Sequence, residues 1–397
     1  MPIKNFNTNE YSSWILSQGS PHNCIIVAGV SEDIEIDRLK KSVQLASSEQ
    51  EMLQYSISRD VCGFIKINEA MPVSETHDQN WQTVAETELA KNFSDNGVLA
   101  RIILLKNKNI QYIVLCFHHI VGDGISGIHF LLRILHFYCD LDASSSPNFK
   151  NLLRDFTIPE PNSRLAEGYA FNPSAVTKIQ SIKIDLAAVK RIENMAKISG
   201  FSLNAYLYAN ILQVASDVFD TNYFNVSIPV DLRVKKNNPI IFPLKFHTSW
   251  IDFQWKKAIS ENTLETVQFL QSQMRSDFRK KQYISNLNIL TEQINKRENN
   301  FNFSKSFISK EPTICISNAG AIDTIMRDRN IILPFQLVEL HLSVNAQAYM
   351  GTHDSFTVQL SQLKNYGQFI NINYPSSLIN EQKISYFLDR IKEKLSQ

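Results

Sequence analysis

The stretch Ile110-Gln111-Tyr112-Ile113-Val114-Leu115-Cys116-Phe117-His118-His119-Ile120-Val121-Gly122-Asp123-Gly124 decides how this chain is read. Residues 110–118 form an apolar run of strand length that ends on two histidines. From Ser126 to Tyr138, Ile128, Leu131, Leu132 and Leu135 recur on one helical face, the stripe of a core-packed helix. The intervening turn is made tight by Gly122 and Gly124. Side chains of a strand point alternately to opposite faces, so His118 and His119 should diverge, with His119 continuing the Leu115, Phe117 series. An imidazole titrates near ~6.5, which suits it to take a proton from a hydroxyl or amine near neutral pH. Asp123 could orient that imidazole or pair with an arginine; the residues alone leave both open.

Outward from this turn, a strand over 98–106 reaches 110–118 through the polar Asn107-Lys108-Asn109, which predicts an antiparallel hairpin. Earlier, alternation and helical spacing predict a strand at 24–30, a helix at 37–48 carrying Leu39, Val43 and Ala46, a strand at 52–58 and a helix at 81–93. Beyond Leu141, Ser144-Ser145-Ser146-Pro147 and Pro159-Glu160-Pro161 mark a crossover over about 141–172. The pattern then restarts. A strand at 179–184, a helix at 186–199, the break Gly200 and a largely apolar helix over 203–219 are followed by strands at 224–229, 313–317, 343–349, 356–363 and 368–374 and a helix at 381–395. Two α/β domains, 1–172 and 173–397, are expected, as the chain of 397 residues exceeds what one core supports.

Lys plus Arg number 40 against 39 for Asp plus Glu, so no global electrostatic footprint for nucleic acid exists. No stretch approaches the ~20 apolar residues of a membrane helix, and the N-terminus lacks a secretory apolar segment, so a soluble, cytoplasmic protein is expected. The five cysteines are scattered and never in CxxC spacing, which argues against a disulfide framework or a structural zinc site. Cys116 lies in an apolar run that should raise its pKa and blunt it as a nucleophile.

Several chemistries compete for the turn. Gly122-Asp123-Gly124-Ile125-Ser126-Gly127 is formally GxGxxG, but a dinucleotide fold needs a second parallel strand after the helix, and a Ser/Pro loop follows instead. His118, His119 and Asp123 could hold a metal with His129 or His136, yet adjacent histidines on opposite strand faces chelate poorly. The GxSxG elbow of a serine hydrolase is absent. The histidines could also be structural.

The string HHxxxDG, complete here at His118, His119, Asp123 and Gly124, resembles the active-site motif of the thioester-dependent acyltransferase superfamily. That superfamily includes chloramphenicol acetyltransferases, plant BAHD acyltransferases, polyketide-associated acyltransferases and nonribosomal peptide condensation domains. Pro229-Val230-Asp231-Leu232-Arg233 resembles its PVDLR segment, Ser317-Asn318-Ala319-Gly320 its SNxG strand end, and Ser202-Leu203-Asn204-Ala205 the opening of its second lobe. The resemblance implies two chloramphenicol-acetyltransferase-like lobes, each of mixed sheet and helices, set in a V around a central tunnel. It implies His119 as general base, with His118 and Asp123 as scaffold and Asp123 paired with Arg233. Attack on a thioester makes an oxyanion that needs donors. Candidates are the Gly124 amide, protonated His119 and the Ser317-Asn318 strand end, which could equally be an ordinary turn. The plant-type DFGWG motif is missing; Lys364-Asn365-Tyr366-Gly367 occupies the roughly corresponding region, which favours a free-standing or detached condensation-like enzyme of secondary metabolism.

The implied co-substrate is acyl-CoA or a phosphopantetheine-linked acyl group on a carrier protein, with no tightly bound cofactor or metal, a small alcohol or amine acceptor, and a monomeric enzyme. Basic clusters at Lys235-Lys236, Lys256-Lys257 and Arg275 with Arg279-Lys280-Lys281 could meet such a donor or be solvated helix faces. Phe242, Phe246, Trp250 and Phe253 permit an apolar substrate. The rival expectation is a catalytically silent module of the same fold, which would bind an acyl carrier protein tightly without turnover.

Overall fold

The computed structural model of the chain describes residues 4–58, 63–94, 96–140, 158–160, 176–233, 243–257, 263–295, 312–328, 333, 335–346 and 355–397. In chain order the first half supplies β1 (Lys4–Asn5), β2 (Asn23–Val30), β3 (Tyr55–Ser58), β4 (Gly63–Lys66), β5 (Val73–His77), β6 (Ala100–Lys106) and β7 (Gln111–His118). The second half supplies β8 (Thr177–Ile184), β9 (Tyr223–Asp231), β10 (Thr248–Lys256), β11 (Thr313–Ala321), β12 (Leu337–Val344), β13 (Phe356–Leu363) and β14 (Gly367–Pro375). Helices α1 (Thr8–Ser17), α2 (Ile36–Ser48), α3 (Trp81–Ala90) and α4 (Gly124–Cys139) precede the crossover. After it come α5 (Leu186–Ile198), α6 (Leu203–Phe219), α7 (Thr263–Arg279), α8 (Gln282–Asn295), α9 (Ile322–Asp328) and α10 (Glu381–Ser396).

These elements make the expected mixed α/β architecture. A five-stranded sheet runs β12-β2-β7-β6-β5, a six-stranded sheet β10-β9-β11-β13-β14-β8, and β1, β4 and β3 form a small third sheet. The predicted hairpin is present, with β6 antiparallel to β7 in the register Ala100↔Phe117. Apolar side chains on alternate positions of β2 and β7 serve two cores. Ile26, Leu115 and Phe117 join α2 and α4 on one face, while Ile25, Val114 and Cys116 meet Trp81, Ala85 and Leu89 of α3 on the other. Both faces are covered, which is why β7 reads as a continuous apolar run. A separate core lies between the six-stranded sheet and α5, α6, α7 and α10. Gly200, at φ +71°, ends α5, its amide and that of Phe201 bonding back to the carbonyls of Lys197 and Ala196; Ser202 then caps α6.

Three local expectations are corrected. Residues 51–54 are a 3-10 turn, so the strand expected over 52–58 begins only at Tyr55. The helix expected to Phe93 ends at Ala90. The strand expected over 343–349 is instead Leu337–Val344, and it lies antiparallel to β2, with Leu342 opposite Ile26. A division at 172/173 therefore does not divide the sheets: the chain returns from the second half to complete the first sheet's edge. Of the 141–172 crossover only residues 158–160 lie within the described residues.

Candidate active site

Strand β7 ends at His118, and β2 runs antiparallel beside it with Asn23 opposite His118. His22, just before β2, thereby faces His119: its carbonyl accepts the His119 N–H at 2.8 Å, and the two rings stand 4.7 Å apart. On its other flank His119 meets Phe246, at a ring separation of 4.2 Å. His118 is 5 % exposed and turns the opposite way, toward Phe93.

The two imidazoles carry their protons differently. His118 Nδ1 accepts the Ile120 N–H at 3.1 Å, so that nitrogen is bare and the proton of the neutral ring sits on Nε2. Burial, with a smaller push from His119, lowers the His118 pKa to about 3, which keeps it neutral. His119 Nδ1 lies 2.9 Å from the Gly122 carbonyl, which can only accept, so Nδ1 holds the proton and Nε2 presents the lone pair. Burial lowers the pKa of His119 below 6.5; its own carbonyl, the Asp123 charge and the Gly122 carbonyl pull the other way without overcoming it. Gly122 is required here because a Cβ would lie 2.6 Å from Leu244 Cδ1 and 3.1 Å from the Phe117 ring.

Asp123 caps α4. Its Oδ1 accepts the Ser126 N–H at 2.9 Å, and Oδ2 accepts from Arg233 Nη2 at 2.8 Å, the His247 N–H at 2.9 Å and Thr248 Oγ1 at 2.9 Å. Burial pushes its pKa upward, but Arg233 and these donors outweigh burial and hold the carboxyl well below the usual carboxylate range. Arg233, 2 % exposed, is thus brought to Asp123 across 110 positions of sequence. The contact is a single hydrogen bond and not a bidentate clamp, since Nη1 donates to Asp231 at 2.9 Å and Nη2 also reaches the Lys245 carbonyl. Among the described residues, the Asp123 carboxylate bonds to the helix start and to the second half of the chain, not to either motif histidine.

Gly124 opens α4, so its amide belongs to the first-turn donors that lack an intrahelical acceptor. Ser317 and Asn318 lie within β11, just before its pairing with β13 shifts register; Asn318 donates to Asn204 at 2.9 Å and accepts a hydrogen bond from the amide of Gly320, whose φ is +73°. That arrangement is an irregularity within the strand, and it joins two segments singled out in the sequence, Ser202-Leu203-Asn204-Ala205 and Ser317-Asn318-Ala319-Gly320. The GxGxxG reading is overturned at its first requirement: β7 is antiparallel to both neighbours, and the Asp123 carboxylate occupies the Ser126 amide at the helix start. Among the described residues, no group of three or more His, Cys, Asp or Glu is placed to hold a metal. No helix of the described residues is long and apolar enough to cross a membrane. Cys116 is buried, and burial first of all pushes its thiol up to about 12. Lys235, Lys236 and Phe242 lie outside the described residues.

Sequence reasoning missed His22, Ser13, His247 and Thr248. Ser13 Oγ lies 2.8 Å from His22 Nδ1 and so fixes the ring that packs on His119. The signal for His22 was available only through strand pairing, since two antiparallel strands that end together place residues 22 and 119 side by side.

No family model and no curated protein matches the chain. Solved structures do. The first condensation domain of the calcium-dependent antibiotic synthetase matches at a TM-score of 0.67 with 12% identity, covering 99% of this chain and 95% of its own. Polyketide synthase associated protein 5 from Mycobacterium tuberculosis matches at 0.64 with 13% identity, covering 97% and 96%. The trichothecene 15-O-acetyltransferase from Fusarium sporotrichioides matches at 0.66 with 12% identity, covering 99% and 94%. Near-complete coverage in both directions shows that this chain has the condensation-domain and acyltransferase fold.

Proposed function

We propose that this protein is an acyltransferase that moves an acyl group from a thioester, on coenzyme A or on a carrier-protein phosphopantetheine, to an alcohol or amine. The observation that carries the reading is the tautomer of His119. The Gly122 carbonyl accepts a hydrogen bond from Nδ1–H, so Nε2 is the lone-pair acceptor on a half-buried ring whose pKa lies below 6.5. In the first step Nε2 takes the acceptor's proton as its oxygen or nitrogen bonds to the thioester carbon, giving a tetrahedral oxyanion. Collapse breaks the C–S bond, and the Nε2 proton passes to the departing thiolate. The Gly124 amide, at the positive end of the α4 dipole, and the imidazolium of His119 are the donors assigned to the oxyanion. Asp123 and Arg233 hold the turn against the 243–248 segment and take no proton.

A panel of acyl-CoA and acyl-carrier donors against mixed amines and alcohols, read by mass spectrometry, identifies the substrates. With a substrate in hand, His119→Ala should lose roughly 10² to 10⁴ in kcat with its melting temperature unchanged. Retained turnover in that variant sinks the assignment. Tight binding of an acyl carrier protein with no turnover across the whole panel establishes the silent-module alternative instead.

A further inference from the structure

Two aromatic rings lie against the His119 imidazole, one from each half of the chain. Phe246 stands 4.2 Å from it, centroid to centroid, with the planes 38° apart; His22 stands 4.7 Å away at 36°. Aromatic pairs usually keep their centroids ~4.5–7 Å apart, so Phe246 is at the close limit, where rings meet by their faces and not edge to face. Both separations are inside the ~6 Å at which a ring face attracts a cation.

Both rings are held in place. On one side of Phe246 the Lys245 carbonyl accepts from Arg233 Nη2 at 2.7 Å and from Ser126 Oγ at 3.1 Å. On the other, the His247 N–H donates to Asp123 Oδ2 at 2.9 Å. The buried Asp123–Arg233 pair thus delivers a side chain of the second half to a histidine of the first. His22 is held at Nδ1 by Ser13 Oγ at 2.8 Å. Burial first of all, with pushes from His119 and His118, keeps the His22 pKa well below 6.5, so it meets His119 as a neutral ring and not as a second cation.

His119 is neutral before it takes a proton and an imidazolium afterwards. Burial opposes that charge, while Asp123 and the carbonyls of His119 and Gly122 favour it. His118, the other titratable group of the turn, is neutral and faces Phe93. A ring face attracts the cation far more than the neutral imidazole, so its effect falls on the charged form alone.

We propose that Phe246, with His22 as the lesser partner, is a positioning residue for the base: its ring face stabilises the His119 imidazolium while that ring holds the acceptor's proton. The catalytic meaning rests on the acyl-transfer reading; the coupling between the rings does not.

The first test needs no substrate. Among the nine histidines of the full chain, the NMR titration lost in His119→Gln is that of His119. Phe246→Leu, which keeps apolar bulk without a ring face, should lower the His119 pKa by about half a pH unit or more, and Phe246→Tyr should not. His22→Leu should lower it less. Simple exposure of the base has the opposite sign, because water relieves the burial that depresses its pKa. Should Phe246→Leu fail to fold, successively fluorinated phenylalanines introduced at position 246 by nonsense suppression weaken the ring face while nearly keeping its shape, and the pKa should fall with each fluorine. With a substrate in hand, kcat/KM at pH 8 should fall in the same order, roughly two- to fivefold for Phe246→Leu. A His119 pKa that stays or rises in Phe246→Leu, or along the fluorinated series, overturns the proposal, as does a falling pKa with kcat/KM unchanged. A falling pKa in a protein for which no acyl transfer is ever found leaves the ring coupling standing and fails the function reading instead.

Discussion

The adjacent histidines hold opposite tautomers: His118 gives its Nδ1 lone pair to the Ile120 amide, and His119 carries its proton on Nδ1 against the Gly122 carbonyl. A base must be neutral to act and burial lowers the pKa of His119, so with His119 as the proposed base kcat/KM should rise from acid through a midpoint below 6.5 and stay flat above it. A pH–rate profile with its midpoint above 6.5 contradicts this. A second titration belongs to stability. Glu10 in α1 is 1 % exposed, and burial, against the Asn7 amide bond and Lys4, raises its carboxyl to about 7. A carboxyl raised in the folded state binds more protons there than in the unfolded chain, so its contribution is fully present below about 4.5 and is lost as pH climbs to about 7. Glu10→Gln should therefore melt at a higher temperature than the parent at pH 8 and lose that advantage at pH 4, with a gap on the order of 2–3 kcal/mol. Equal melting temperatures at both pH values contradict a protonated Glu10.

Among elements, the start of α4 joins segments distant in sequence, since Asp123 caps the helix while holding Arg233, His247 and Thr248. Asp123→Asn keeps a capping oxygen but removes the charge from a buried pair. The expected cost is roughly 3 kcal/mol, the low end for a broken buried pair because Arg233 retains Asp231. Thermal and denaturant melts measure it; an unchanged melting temperature with collapsed activity would show Asp123 to be part of the chemistry. Elements with a clean apolar period were legible in sequence, among them β7, α6, whose bounds match, and β13. Others hid for identifiable reasons. α1 buries Thr8, Asn9, Glu10, Ser12 and Ser13 as well as its apolar residues, so it has no stripe to read. β12 carries Glu339 and His341 in its interior; these pair at 3.1 Å, and His341 also faces Asn371 of β14 at 3.0 Å, so polar residues satisfied inside the molecule masked the strand. The motif residues were legible as types and spacing, whereas His22 and Thr248 needed the pairing of strands distant in sequence.

For the whole molecule, β12 makes the two halves interdependent. Without it, β2, buried at every position from Asn23 to Val30, becomes an exposed apolar edge. Residues 1–175 expressed alone should aggregate or lack dispersed amide signals, and co-expression with 176–397 should restore a soluble complex; a folded, monomeric 1–175 fragment contradicts this. The polar seam supports the same dependence, since His341 of β12 lies against Asn371 of β14 and stacks on Trp81 of α3 at 4.1 Å, so helix, first sheet and second sheet meet at one side chain. For protein engineering the consequence is specific. A chimaera that exchanges one lobe for a relative's cannot be spliced at the crossover alone, because the donor half would arrive carrying a strand cut for another sheet. Three junctions are needed, at the crossover after Asp140 and on either side of β12, in 329–336 and 345–354, so that the strand travels with the sheet it completes.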